Sequence, residues 1–292
     1  MDADKNGSNS APPQGGSTAL RFIDAPHHLW DLSACSYPWL EARGVRRFFG
    51  DPTPIQKNYL VADFLAESGR YRPWKSVHVQ VGTDPADQVR ETAWLSNQDR
   101  FPHAIVAACD LASDQRDREL DQHLQFSRLR GIRQILGRHA EEDRKHNSDQ
   151  LIEDPAFAQG LSRLSTLGLS FDLQLIPPQM QRVARLLASV PDLPVVLCHC
   201  GSPWDQSVEG LAAWRAGLRA LAELPQVVCK VSGLGMFNPT WTVDDLRPIV
   251  QDVIAIFGPE RVKFGSNFPV DKLYRSYEAT WSAYEALLEE FS

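Results

Sequence analysis

Val262-Lys263-Phe264-Gly265-Ser266-Asn267-Phe268-Pro269-Val270-Asp271 is a short apolar run that stops at Gly-Ser and gives way at once to polar groups. It reads as a buried strand emptying into a polar loop, the place where parallel α/β proteins carry their chemistry. Two other stretches end in the same way: Phe22-Ile23-Asp24-Ala25-Pro26-His27-His28 and Val195-Val196-Leu197-Cys198-His199-Cys200-Gly201. Three such ends raise one question: whether they meet in a single pocket.

Working outward, the chain alternates between short Val/Ile/Leu runs and segments of helical periodicity. Strands are expected at 20–25, 76–81, 104–108, 131–136, 169–175, 195–198, 227–231 and 262–264. Helices are expected at 55–67, 84–95, 113–128, 154–167, 179–189, 209–224, 243–257 and 277–288. Asp84 followed by Pro85 is a helix start, and Gly258-Pro259 a helix stop. About eight strands alternating with about eight helices favour a closed (β/α)8 (TIM) barrel over an open doubly wound sheet. No G-x-G-x-x-G or P-loop follows any strand, which weakens a nucleotide-binding reading. Residues 1–18, rich in Gly, Ser, Asn and Pro, read as a disordered tail, leaving 19–292 as one barrel domain. The stretch 138–150 is polar and reads as a solvated loop. Trp30, Tyr37 and Trp39 lie in an aromatic loop that is either a lid or a satellite apolar cluster.

The 292 residues, 43% hydrophobic, suffice for one large core. A net charge of -7 with mixed signs argues against nucleic acid or anionic membrane as partners. No apolar run approaches the ~20 residues of a membrane span, and the N-terminus has no apolar signal core. The five cysteines form no CxxC pair, so buried reduced thiols and a cytoplasmic location are expected. With His199 facing inward, alternation turns Cys198 and Cys200 toward the surrounding helices. A homo-oligomer is compatible with the sequence.

At the C-terminal ends of the strands, the candidate groups are His28, Gln80, Arg133, His199, Lys230 and Asn267, with Asp271 just beyond. Any one of them could be a satisfied polar residue at a strand end; several on successive strands point to a site. Arg133 and Lys230 suggest a carboxylate-bearing small molecule, since a guanidinium fork matches a carboxylate.

The segments Ile23–Asp31, Gly131–Leu136, Leu169–Gln174, His199–Trp204, Lys230–Leu234 and Phe264–Val270 resemble the amidohydrolase-related (amidohydrolase 2) family of the amidohydrolase superfamily. That family includes hydrolases of 2-pyrone-4,6-dicarboxylate and of sugar lactones. The resemblance runs from Phe22 to Leu288 and implies a (β/α)8 barrel that hydrolyses a lactone or related C–O or C–N bond.

Three departures accompany it. The first-strand motif Asp-x-His-x-His has Pro26 at its first histidine, leaving His28; His27 should face away. The aspartate of the last strand is Asn267, whose amide has no useful basicity. Pro178 stands where relatives often carry histidine. The family's divalent site (Zn or Mn) would need two histidines from the first strand, one from the sixth and an aspartate from the eighth. Here only His28 and His199 remain as weak ligands, so no tight metal and no other cofactor is expected. The end at Ser292 further suggests that the last outer helical segment is missing.

The scheme that follows has His199 or His28 polarise a lactone carbonyl, Asn267 orient it or the water, and Asp271 activate that water. Asp271 could equally cap the final helix or pair with a base nearby. Arg133, Lys230 and Gln80 would hold the substrate, with Trp30 and Trp204 as apolar walls. A catalytically impaired family member that binds a small carboxylate is the alternative; a decarboxylase is the third reading.

Overall fold

The computed structural model describes residues 21–143 and 148–291; the tail expected at 1–18 lies outside them. The elements run β1 Ile23–His27, α1 Pro38–Glu41, α2 Val61–Ser68, β2 Lys75–Val79, α3 Gln88–Ser96, β3 Ala104–Ala108, α4 Arg116–His123, β4 Leu129–Ile135, α5 Ala140–Asp143 and α6 Ser148–Ile152. They continue α7 Pro155–Thr166, β5 Ser170–Gln174, α8 Met180–Leu187, β6 Val195–Leu197, α9 Val208–Ala222, β7 Val227–Val231, α10 Val243–Phe257, β8 Val262–Phe264 and α11 Tyr277–Leu288. All eight strands pair in parallel in chain order.

Closure between β8 and β1 is made just past the strands. Ser266 N donates to Asp24 Oδ1 at 2.7 Å, Asn267 N to Pro26 O at 2.8 Å and His28 N to Phe268 O at 2.7 Å. Gly265 is needed there: a Cβ on it would lie 2.2 Å from the Ala25 carbonyl carbon. The β1–β2 register slips between Asp24 and His27, so β1 carries a bulge directly before His28, and bulges re-aim the side chains that follow. His27 turns outward and stacks on Phe64 of α2, ring centroids 4.2 Å apart.

The helices form where apolar stripes and caps coincide. In α9, Ser207 accepts the Gly210 amide at 3.0 Å, and Trp214, Gly217, Leu218 and Leu221 make one buried face. In α10, Thr242 and Asp245 form a reciprocal capping box, worth about 1 kcal/mol. The expected last helix forms as α11 and packs against both α10 and α2. Residues 138–150 are not a plain solvated loop either: α5 and α6 form there, and Arg138 and His139 line a cavity. Among the described residues no helix is long and apolar enough to cross a membrane.

Candidate active site

Above the C-terminal ends of the strands lies an inner chamber of about 90 Å³, bordered by His28, Arg133, Gln174, His199 and Asn267. It opens into a vestibule of about 1570 Å³ walled by residues of the loops after β1 and β4, among them Trp39, Arg47, Arg138 and His139. A side chamber of about 230 Å³ is bordered by Gln80, Arg133 and Arg138.

His28 is held from β2. Its Nδ1 lies 2.8 Å from the Val79 carbonyl, which can only accept, so that nitrogen carries the proton and Nε2 is left bare in the neutral ring. Burial and the charges of Arg133 and Lys230 lower its pKa to about 4, against the opposing pull of its hydrogen bonds. Nε2 sits 3.0 Å from Asn267 Oδ1, and Asn267 Nδ2 lies 2.6 Å from Asp271 Oδ2. Asp271 also accepts the Gly235 amide at 3.2 Å, and burial raises it to about 7. An amide oxygen facing a bare imidazole nitrogen sets two acceptors together. Two arrangements remove the conflict: His28 protonated over an ionised Asp271, or the Asn267 amide turned with a protonated Asp271. Both hold one proton, so His28, Asn267 and Asp271 behave as one acid–base unit.

His199 is presented differently. β6 ends at Leu197, and His199, Cys200 and Ser202 all take positive φ (52°, 53° and 60°), with Gly201 at 68°. The turn is left-handed, closed by Ser202 N donating to His199 O at 2.9 Å. Non-glycine residues in this region cost roughly 1 kcal/mol each. The ring packs against Gly233, where a Cβ would come within 2.6 Å of His199 Nδ1. His199 Nδ1 lies 3.0 Å from Ser232 Oγ. Ser232 is buried and its hydroxyl makes no other hydrogen bond among the described residues. A hydroxyl can donate or accept; where it donates to Nδ1, the His199 proton sits on Nε2. Burial first, then Arg133, His28 and Lys230, lowers the His199 pKa well below its ordinary value.

Arg133 on β4 donates to the Gln80 carbonyl and to Gln174 Oε1, the latter at 3.3 Å, while its Nε has no partner. Among the described residues no carboxylate pairs with it. Arg138, which sequence reasoning passed over inside a polar stretch, borders the same chambers; burial and the charges of Arg47 and Arg133 lower its pKa. Arg47 is neutralised by Glu142, at 2.9 Å.

The structure brings together His28, His199, Asn267 and Arg133 and keeps the other named residues out of the inner chamber. Gln80 borders the side chamber, its amide oxygen accepting Gly82 N at 2.6 Å. Lys230 faces the barrel interior in a buried ion pair with Asp172. Asp271 stands behind Asn267. Trp30 is fully buried, its Nε1 on the Lys57 carbonyl at 2.6 Å, and the wall is Trp39 instead. Trp204 packs on His139, ring centroids 5.3 Å apart. Cys198 points inward as well, its Sγ 3.9 Å from Asp172 Oδ2. Burial pushes this thiol up to about 11, so it remains a packing group.

Among the described residues no three His, Cys, Asp or Glu side chains converge to hold a metal ion. At the chamber itself the donors are two imidazoles and a neutral amide under two arginines, a poor set for a divalent cation.

Comparison with known proteins agrees with this architecture. The chain is 40% identical over 94% of its length to an uncharacterized protein of Sinorhizobium fredii, covering 93% of that protein. It is 32% identical to an L-fucono-1,5-lactonase of Burkholderia multivorans, over 93% of this chain and 89% of that one. A solved amidohydrolase of Burkholderia multivorans superimposes with a TM-score of 0.78 at 28% identity, over 93% of this chain and 92% of that one. A second crystal structure of an amidohydrolase from that organism, with bound zinc, has a TM-score of 0.76 at 27% identity, over the same shares of the two chains. The amidohydrolase family model matches residues 23–292, and the chain belongs to the amidohydrolase family.

Proposed function

We propose that the protein hydrolyses a small lactone that carries a carboxylate, without a metal ion. The observation that carries this reading is that two imidazoles border one chamber in different settings: His28 has its proton fixed on Nδ1 and is linked through Asn267 to Asp271, and His199 rests against the Ser232 hydroxyl. An ester carbonyl needs a base for water and a donor for the developing oxyanion, and these are the two groups offered.

In this scheme His199 Nε2–H hydrogen-bonds the lactone carbonyl oxygen. Water attacks the carbonyl carbon and gives a proton to the His28 unit. As the tetrahedral carbon collapses, the ring C–O bond breaks and the departing oxygen takes that proton back. Water is thereby added across the ring C–O bond, giving a hydroxy acid. Arg133 holds the substrate carboxylate and Arg138 reinforces its field. The similarity to an L-fucono-1,5-lactonase supports a lactone as substrate. The chamber's donors do not match a metal ion, and each step uses the protein's own side chains. Five buried free cysteines support a reducing, cytoplasmic setting.

The test is turnover of a lactone panel, with and without a carboxylate substituent, in the presence and absence of chelator, beside elemental analysis. Chelator-resistant turnover that favours the carboxylated members is expected. About one equivalent of metal with chelator-sensitive turnover would overturn the metal-free part, and no turnover on any lactone would sink the reaction class. Binding of a carboxylate without product would favour the impaired-member alternative.

A further inference from the structure

Behind the β1 wall lies a buried polar pair that the hydrolytic scheme does not use. His78 on β2 and Glu91 on α3 are 0% and 1% exposed. The Leu29 amide donates to His78 Nδ1 at 3.1 Å. A ring nitrogen that accepts carries no proton, so neutral His78 has its proton on Nε2. That nitrogen faces Glu91 Oε1 across 4.0 Å, and neither atom has a hydrogen-bond partner among the described residues.

The position of this pair gives it a role. Leu29 follows His28 directly, at the point where the chain leaves the bulged strand. Val79, the residue after His78, supplies the carbonyl that fixes the His28 proton. The rings of His28 and His78 also meet edge to face, centroids 6.2 Å apart at 86°. Two consecutive residues of β2 thus grip His28 twice, by its ring and by the amide that follows it. An apolar residue at position 78 would fill the space equally well. It would leave the buried Leu29 N–H without an acceptor, and an orphaned buried donor is costly enough to pull the backbone elsewhere.

We propose that His78 is a positioning residue for His28: it accepts the Leu29 amide on Nδ1, faces Glu91 with Nε2–H, and so sets the angle at which the His28 ring enters the chamber. This role rests on the reading of His28 as part of the base.

The experiment uses the full chain, isotopically labelled on histidine ring nitrogen, as wild type, His78→Phe and His78→Gln. Phe keeps a ring of similar size without the acceptor; the Gln side-chain oxygen can accept the Leu29 N–H again. Ring-nitrogen spectra of wild type should show His78 bare on Nδ1. The His28 ring signals should shift in His78→Phe and return toward wild type in His78→Gln. On a turned-over lactone, His78→Phe should lose about tenfold in kcat with KM held within about twofold, because a base misplaced by a fraction of an ångström acts poorly while the substrate still binds. Folded His78→Phe with unmoved His28 signals and unchanged kcat would overturn the proposal. If no lactone is turned over by any form, moved and rescued His28 signals still uphold the positioning role while the hydrolytic reading fails. Should His78→Phe not fold, the wild-type spectrum decides, since a proton on His78 Nδ1 is incompatible with the Leu29 contact.

Discussion

The two sides of the chamber solve the problem of holding a histidine in opposite ways. On the β8–β1–β2 side, His28 sits after a bulge on ordinary strand backbone, clamped by a carbonyl and linked through Asn267 to a carboxyl group. On the β6–β7 side, His199 stands on a left-handed turn of strained residues, steadied by a serine hydroxyl and a glycine. The first setting couples the ring to a carboxyl group that can store a proton; the second joins it to a hydroxyl that can donate or accept. The difference teaches that a carbonyl at Nδ1 fixes the tautomer of His28, whereas a hydroxyl at Nδ1 leaves that of His199 to its other contacts.

The sharpest way to break the contrast is to remove each ring. His28→Ala and His199→Ala should each lower kcat by about 10²–10⁴-fold on a true substrate, measured at saturation; retention of full turnover by either would remove its role. Beneath His199, the Asp172–Lys230 pair is structural by its placement, so Lys230→Met should cost about 3 kcal/mol of stability, by leaving a buried carboxylate unpaired. Denaturant melts check this, and a raised KM at unchanged stability would instead make Lys230 a substrate ligand. Arg133→Ala should raise KM by roughly 10–100-fold for carboxylated lactones, the loss of a charged hydrogen bond, and leave uncharged lactones nearly untouched.

The pH dependence sharpens the first side alone. A proton can be taken up by the unit once Asp271 is ionised, so kcat/KM should rise with pH through about 7. In Asp271→Asn that limb should fall toward the His28 value of about 4, at reduced turnover. Stability runs the other way. Asp24 and Asp271, raised from 3.8 to about 7, and Glu91, raised from 4.5 to about 8, bind protons more tightly folded than unfolded. Their contribution is complete below the unfolded values and is lost as pH rises through 7–8, which thermal melts across pH 5–9 would register. The smallest effect belongs to the other side: Ser202→Gly should relax the left-handed turn and raise stability by about 0.5 kcal/mol, after the entropy cost of glycine.

The barrel was legible because its strands are Val/Ile/Leu runs and its helices carry caps, which are local signals. His28, His199, Arg133 and Asn267 were legible because each lies at or just past a strand end. What escaped depended on distant partners. Lys230 looked available until the opposite wall supplied Asp172. Cys198 was expected to face outward with Cys200, but alternation stops counting at Leu197, where the left-handed turn takes over. Trp30 and Trp39 exchange roles because the course of the loop after β1, not spacing, decides which ring reaches the cavity. Arg138 lay in a stretch whose polarity suggested solvent, although two short helices fold that stretch over the vestibule. The mechanical link from Glu91 and His78 to His28 has no sequence signature at all, since it depends on one backbone amide.

The hydrogen bond between His28 and Asn267 joins residues 239 positions apart. It belongs to the seam where the last strand meets the first, the strand-to-strand contact with the greatest loop to close as the chain folds. During synthesis, the histidine that emerges among the first few dozen residues must wait for nearly the whole protein before its partner exists. On the proposed scheme, catalytic competence should therefore appear late and all at once: a partly assembled barrel has every group of the β6–β7 side but an incomplete His28–Asn267–Asp271 unit until its own seam is sealed.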